Sequence, residues 1–346
     1  MSPVILTLML LTMGIGTAVT LTSSHWLIAW IGLEINTLAF LPIIAKKSDP
    51  RAIEAATKYF LIQATAASMI LFAAVVNAWL TGLWEIGQIL PPYTSALFTL
   101  GLGLKIGLAP LHLWMPEVLQ GTDLMTGLIL CTWQKVAPFC LLFQLHLVPD
   151  IVVVLGLMSA FVGAWGGLNQ TQLRKLLAYS SIAHLGWMLI VMQFSPSISL
   201  IAFLLYFIMT AAVFLGLTLT GSTTISALAC TSTKSIMMSI MLPLTLLSLG
   251  GLPPLTGFMP KWLIIQELTK QDATTTAALM IIPSLLSLYF YLRICYIVTL
   301  TMTPNNLTGT IIWRLPRSNV PLPTAICIVL GLMLLPATPT LLALFI

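Results

Sequence analysis

Four charged side chains interrupt long apolar segments of the sequence, where charges are otherwise rare. They are Glu34, Lys105, Lys135 and Lys261. If each segment is a membrane-spanning helix, a rise of about 1.5 Å per residue places these groups roughly 12–17 Å below the membrane surface. The hydrocarbon layer is about 30 Å thick, and one ionised side chain near its centre costs about 2.5–3.5 kcal/mol. The cost of keeping four of them favours a functional role.

Proton transfer is the chemistry that these residue types suit. Burial lowers the pKa of a lysine and a nearby carboxylate raises it again, so a buried lysine can exchange its proton within a reachable pH range. Arginine keeps its charge and would block such a path. The structural alternative is a buried Glu–Lys pair that only fixes helix packing. One pair would account for Glu34 and one lysine, and it leaves two lysines unexplained. Lys58 and Arg293 lie nearer the membrane surface, where long side chains can reach water.

Two of the apolar segments contain proline and glycine beside a lysine. Proline removes a backbone donor and clashes with the preceding turn, and backbone freed at membrane depth must face protein or water. Interrupted helices of this kind surround the ion sites of many transporters, although a simple proline kink is the alternative. The predicted breaks comprise Gly107 and Pro110 near Lys105, and Gly250, Gly251, Pro253, Pro254 and Gly257 near Lys261.

Two histidines are candidate links between the lysines, because histidine titrates nearest to neutral pH. His112 falls within the first predicted break. His184 is equally compatible with a packing role, in which neighbouring hydroxyl groups satisfy its ring.

Composition decides the class of protein that must position these residues. The chain has 346 residues, of which 59% are hydrophobic and 7% charged, whereas soluble domains carry about 25% charged residues. Its apolar runs extend for about 20 residues, as in membrane-spanning helices, and do not alternate as barrel strands do. The prediction is an all-α, polytopic transmembrane helix bundle. The sparse basic residues exclude a nucleic-acid surface, and the five isolated cysteines give no metal-site spacing.

The pattern predicts eleven spans in a single membrane domain, 1–346. Its parts are N-terminal helices in 1–93, a first broken-helix unit in 94–220 and a second, partial unit in 236–346. The spans are 3–22, 25–45, 53–79, 94–120 (interrupted), 124–147, 150–169, 173–194, 198–220, 236–269 (interrupted), 275–301 and 323–345.

Loop charges predict the orientation. Basic residues concentrate in the loops on the N-terminal side, and Lys270 is the single basic residue in loops on the far side. Basic loops face the inner compartment, so the N-terminus is expected inside and, after eleven spans, the C-terminus outside. The inner set is Lys46, Lys47, Arg51, Arg174, Lys175, Lys234, Arg314 and Arg317.

Over its whole length the sequence resembles the chain 2 family of NADH–ubiquinone oxidoreductase, the antiporter-like membrane subunits of respiratory complex I. The segments that carry the resemblance are WIGLEINTLAF (30–40), LKIGLAPLHLWMPEV (104–118), WQKVAP (133–138), LRKLLAYSSIAHLGWM (173–188) and LGGLPPLTGFMPKW (249–262).

The resemblance implies a subunit that couples electron transfer in partner subunits to proton pumping across the mitochondrial inner membrane. It assigns the family's glutamate to Glu34, its broken-helix lysines to Lys105 and Lys261, and its central lysine to Lys135. It implies that NADH, FMN, iron–sulfur clusters and ubiquinone are bound by partner subunits, with no cofactor or metal in this chain. The implied partners are other membrane-arm subunits, including antiporter-like ones, and lipids. The inner compartment becomes the matrix and the outer one the intermembrane space.

Two other functions remain compatible with the residues. A free-standing cation/proton antiporter would use the same buried charges, and a structural linker would use them only to hold helices together. A membrane enzyme based on His112 and Glu117 is disfavoured, because neither a nucleophile nor a metal set accompanies them.

Overall fold

The structure, a computed structural model, describes residues 3–46, 49–88, 90–233, 235–301 and 321–345. Lys47, Lys234, Arg314 and Arg317 of the predicted inner loops lie outside these residues. The described chain is helical and contains no β-strand. The helices are α1 (Pro3–Thr22), α2 (Trp26–Ile44), α3 (Pro50–Thr81), α4 (Pro92–Ile106), α5 (Trp114–Gly121), α6 (Leu124–Cys131), α7 (Trp133–Gln144), α8 (Pro149–Gly167), α9 (Leu173–Met192), α10 (Pro196–Thr220), α11 (Ile225–Ala229), α12 (Ile236–Gly250), α13 (Phe258–Lys270), α14 (Thr274–Leu300), α15 (Leu322–Met333) and α16 (Thr338–Phe345).

Length and composition identify the helices that can cross a membrane. Among the described residues, eight segments qualify: α1, α2, α3, the combined segment of α6 and α7, α8, α9, α10 and α14. A bent pair that begins with α15 would be a ninth. The prediction of an all-α chain with several apolar spans is therefore confirmed, and the count of eleven stays a prediction.

Proline occupies the first position of several helices. Pro50, Pro92 and Pro196 each open a helix at its first position. The missing N–H of proline costs nothing there, because the first amides of a helix have no intrahelical partner. The same residue type that is predicted to interrupt two spans thus marks the first position of these helices.

The chain divides into two compact units, Met1–Val162 and Gly163–Ile346. In the first unit, α1 and α2 approach closely at two glycines. A Cβ atom on Gly16 would lie 2.9 Å from the amide nitrogen of Asn36, and one on Gly32 would lie 2.7 Å from Cγ2 of Thr20. Small residues at such crossings let membrane helices pack backbone to backbone. This crossing fixes the position of α2, which carries Glu34.

The second unit is built around α10. This helix packs against α9, α12, α13 and α15, and α9 is buried along most of its length. Because helices in lipid associate by close van der Waals packing, these contacts hold α9 and α13, the elements that carry His184 and Lys261.

Candidate functional site

The first predicted break follows Lys105, which lies in the last turn of its helix. Helix α4 stops at Ile106, and Gly107 follows with φ 88°. Side chains rarely adopt this left-handed conformation, so glycine is the residue that suits it. The amides of Gly107 and Leu108 both donate to the carbonyl of Gly103, each at 2.8 Å, and helical structure resumes only at Trp114.

Two carbonyls released by this ending are satisfied by side chains. The indole N–H of Trp114 donates to the carbonyl of Leu104 at 3.2 Å. The amide of Gln63, on α3, donates to the carbonyl of Lys105 at 3.3 Å. The last carbonyls of a helix lack intrahelical partners, and leaving one unpaired in hydrocarbon costs several kcal/mol. The turn that carries Lys105 is therefore held by protein groups from α3 and α5.

Lys105 and Lys135 line one cavity inside the first unit. Both are buried, with 6% and 2% of their surface exposed. Lys105 comes from the last turn of α4 and Lys135 from the first turn of α7. The cavity has a polar lining unusual for so apolar a chain, made up of Asn36, Thr37, Tyr59, Gln63 and Gln134.

Glu34 stands beside this cavity on α2. Its Oε2 accepts a hydrogen bond from the hydroxyl of Thr37, a lining residue, at 2.8 Å. The carboxylate interacts electrostatically with Lys105. The structure thus places Glu34 next to the cavity that Lys105 and Lys135 line.

Three polar atoms of the cavity lining have no hydrogen-bond partner among the described residues. They are Nζ of Lys105, Oδ1 of Asn36 and Nε2 of Gln134. Two are donors and one is an acceptor, a combination that a water molecule can bridge, since buried water usually makes about three hydrogen bonds. The hydroxyl of Tyr59 donates to Oε1 of Gln134 at 3.5 Å, so the amide nitrogen is the atom of Gln134 that lacks a partner among the described residues.

The second predicted break surrounds Lys261. Helix α12 ends at Gly250, Gly251 follows with φ 81°, and α13 begins at Phe258. Nζ of Lys261 reaches back across the break and donates to the carbonyl of Gly250 at 2.8 Å. The carbonyl end of a helix carries partial negative charge, so this position stabilises the ammonium group without a carboxylate.

Glycine is also required at the far side of this break. A Cβ atom on Gly257 would overlap the backbone carbonyl of Ser248. The segment between the helices therefore folds back against the end of α12, and any larger residue would push it away.

His184 is brought to Lys261, whereas His112 is not brought to the first cavity. His184 and Lys261 line the same two cavities of the second unit, with Trp187 shared by both. The ring of His184 lies 5.5 Å from that of Tyr206. His112 is buried and its ring bonds to the backbone of Pro110, but it is not one of the described residues that line the cavity of Lys105.

Two basic residues nearer the ends of predicted spans, Lys58 and Arg293, have local partners. Lys58 bridges Glu54 at 2.6 Å and Glu117 at 2.7 Å, all three partly exposed. Arg293 donates to the carbonyl of Leu168 at 2.9 Å. These contacts give Lys58 and Arg293 local roles, and neither residue lines the cavities of Lys105 and Lys261.

Sequence reasoning missed the uncharged polar lining of the first cavity. Asn36, Tyr59, Gln63 and Gln134 each stand in an apolar segment. A buried amide in a membrane span needs a partner for the same reason that a charge does. The sequence signal was the presence of amide side chains within apolar segments. It would have been found by asking what each of them pairs with, as was done for the charged residues.

Family models match almost the whole chain. Residues 23–287 match the family described as NADH:quinone oxidoreductase/Mrp antiporter, TM, and residues 288–342 match NADH dehydrogenase subunit 2 C-terminus. NADH-ubiquinone oxidoreductase chain 2 of Tetraodon nigroviridis is 59% identical over 346 residues, which cover 100% of this chain and 99% of the relative. The chain belongs to the NADH-ubiquinone oxidoreductase chain 2 family. The Salmo salar member is 58% identical, with 98% of both chains covered.

Solved structures show the same fold. A chain of respiratory complex I from Thermus thermophilus superposes with a TM-score of 0.84 at 29% identity, over 96% of this chain and 79% of that one. A chain of the Mrp complex from a Dietzia species gives a TM-score of 0.80 at 16% identity, over 96% of this chain and 75% of that one. The second likeness concerns the fold alone. The chain therefore has the antiporter-like fold expected from the sequence.

Proposed function

We propose that this chain is a proton-translocating membrane subunit of respiratory complex I, in which Glu34, Lys105, Lys135 and Lys261 carry the proton. The observation that carries the proposal is the polar cavity shared by two buried lysines within a chain that is otherwise apolar. Membership of the chain 2 family supports it. NADH oxidation and ubiquinone reduction, with FMN and the iron–sulfur clusters, belong to partner subunits, and other membrane-arm subunits flank this one in the mitochondrial inner membrane.

The first step takes place around Lys105. The carboxylate of Glu34 favours the ammonium form of this lysine, because an opposite charge nearby stabilises the charged state. A charge that moves in a neighbouring subunit weakens this interaction, and burial then favours release of the proton. Water bridging Lys105, Asn36 and Gln134 carries the proton toward Lys135, with His112 as a further candidate link from the break. Like-charge repulsion between lysines passes the step onward.

The second unit continues the path at Lys261. The carbonyl of Gly250 holds its ammonium, and His184 lines the same cavities. Moving one charge against an assumed ~150 mV requires roughly 3.5 kcal/mol, which electron transfer in the partner subunits supplies.

The finer architecture forms part of the same proposal. Helices α4 and α5 form one interrupted span, α12 and α13 a second, and the chain crosses the membrane eleven times. The segments 94–220 and 236–346 are corresponding broken-helix units within one membrane domain. The N-terminus faces the matrix and the C-terminus the intermembrane space, as the distribution of loop lysines and arginines favours.

Replacing Lys105 by methionine tests the proposal. The assembled complex carrying Lys105→Met should oxidise NADH yet move far fewer protons per NADH in sealed proteoliposomes, since methionine fills similar space and carries no proton. Lys58→Met is the matched control, because Lys58 is partly exposed and paired with Glu54 and Glu117. It should pump like the unaltered complex.

Two outcomes would overturn the proposal. Unchanged proton-to-electron stoichiometry in Lys105→Met would favour the structural-linker function, in which buried charges only hold helices. Sodium/proton exchange by the purified chain alone, independent of NADH, would favour the free-standing antiporter.

A further inference from the structure

The segment between α12 and α13 is hydrogen-bonded to α15, a helix near the C-terminus. The hydroxyl of Thr256 donates to the carbonyl of Gly331, and Thr256 is 1% exposed. Gly331 lies in the last turn of α15. The carbonyl groups of a helix's last turn have no N–H donor within the helix. The bond therefore satisfies a group that α15 leaves unpaired.

An apolar contact accompanies this hydrogen bond. Leu255, the preceding residue, packs against a buried cluster contributed by α10, α12 and α15. The members of the cluster are Ala212, Met238, Ile328 and Leu332. Residues 255 and 256 are thus held by both kinds of interaction.

Helix α13 starts directly from these two residues. The amide of Phe258 donates to the carbonyl of Leu255, and that of Met259 to the carbonyl of Thr256, both at 3.1 Å. Lys261 follows two residues later in the same turn and extends its Nζ to Gly250. Whatever fixes residues 255 and 256 also fixes the turn from which Lys261 projects.

The tie joins two differently matched parts of the chain. Lys261 and Thr256 lie in residues 23–287, which match the NADH:quinone oxidoreductase/Mrp antiporter model. Gly331 lies in residues 288–342, which match the subunit 2 C-terminus model. Helix α15, in the part that matches the subunit 2 C-terminus model, therefore supports a lysine in the part that matches the NADH:quinone oxidoreductase/Mrp antiporter model.

We propose that Thr256 is a positioning residue for proton transfer at Lys261, and that α15 anchors it through the Gly331 carbonyl. The inference rests on the proposed function, because positioning matters only if Lys261 carries a proton. Without the hydroxyl, the first turn of α13 shifts and Lys261 leaves the Gly250 carbonyl part of the time.

A graded series at position 256 tests this in the assembled complex. Thr256→Val keeps the shape and removes the donor, Thr256→Ser keeps the donor, and Thr256→Cys supplies a weak one. Protons moved per NADH, measured in proteoliposomes and normalised to assembled complex, should fall on the order of five-fold in the valine variant. The serine variant should recover the normal value and the cysteine variant should lie between, so the order is measurable even if valine prevents assembly.

The control is Thr245→Val. Thr245 is also a buried threonine near the end of α12, but its hydroxyl bonds within its own helix, to Leu242 at 2.8 Å, so its loss should leave pumping unchanged. Equal pumping across the position 256 series, or an equal loss in Thr245→Val, would overturn the inference. Lys261→Met, measured alongside, separates the two proposals: if it pumps normally, the role of Lys261 in the proposed function fails. If it stops pumping while Thr256→Val does not, only the role of Thr256 fails.

Discussion

Gly121→Ala is predicted to displace α5 from α3. A Cβ atom at this position would lie 2.6 Å from the carbonyl oxygen of Arg51 and 2.7 Å from Cβ of Ala55. Ordinary contact begins at 3.4 Å, so the helices must separate by up to 0.8 Å. Neither neighbour is the end of a flexible side chain, and overpacking of this kind costs about 1–3 kcal/mol.

The displacement should reach the candidate site through α5. A shift of 0.8 Å along the bond would lengthen the contact of Lys58 with Glu117 from 2.7 Å to 3.5 Å. It would also pull the indole of Trp114 from the carbonyl of Leu104, which it now meets at 3.2 Å. The turn that carries Lys105 would then lose the hydrogen bond from Trp114, so proton pumping should fall together with thermal stability.

Thermal inactivation of the assembled complex measures this effect. Gly121→Ala should inactivate roughly 2–10 °C lower than the unaltered complex. Gly14→Ala is the control, since a Cβ atom there meets nothing within 4 Å, and alanine is the better helix former. Equal inactivation temperatures for the two variants would refute the close approach of α3 and α5.

Two further variants test separate features of the first unit. Gln134→Met should assemble normally, because it removes only the long 3.5 Å contact with the Tyr59 hydroxyl, and Nε2 of Gln134 has no partner among the described residues. It should lower the number of protons moved per NADH roughly five-fold, because one water-binding donor is lost. Normal pumping would show that the amide takes no part. Glu117→Gln should change thermal stability by less than about 1 kcal/mol, as is usual for exposed ion pairs, and leave pumping intact; a large loss would mean that this carboxylate belongs to the proton path.

The helical class and two of the helix ends were predictable because their causes are local. Proline lacks a donor and glycine tolerates positive φ wherever they occur, so the endings at Gly107 and Gly251 can be read from composition. One interruption was not foreseen. The predicted continuous span 124–147 is interrupted at Thr132, whose hydroxyl and amide both bond to the carbonyl of Leu128, at 2.6 and 3.0 Å. Such back-bonding by threonine often bends helices.

The assembly of the site could not be derived from the sequence. The depth of a residue along a helix follows from residue count, so the sequence could place the four charges at similar depths in the membrane. The rotation of each helix about its own axis depends on packing with distant segments, so the sequence could not show which side chains face each other. Gln63 and Lys105 are 42 positions apart and meet through one hydrogen bond. Nothing in the local pattern of either segment specifies that contact.

The ammonium of Lys261 rests against a backbone atom, and this has a consequence for variation at the site. A carboxylate counter-ion can be deleted by a single codon change, but a carbonyl oxygen is present whatever residue stands at position 250. Apart from replacement of Lys261 itself, inherited changes can therefore reach this contact only by moving the backbone, as at Gly251, where a Cβ atom would meet Cδ and Nζ of the lysine at 3.0 Å. The electrostatic support of this cation therefore tolerates a change of side chain at position 250 but does not tolerate changes that move the backbone, as at Gly251 or Gly257.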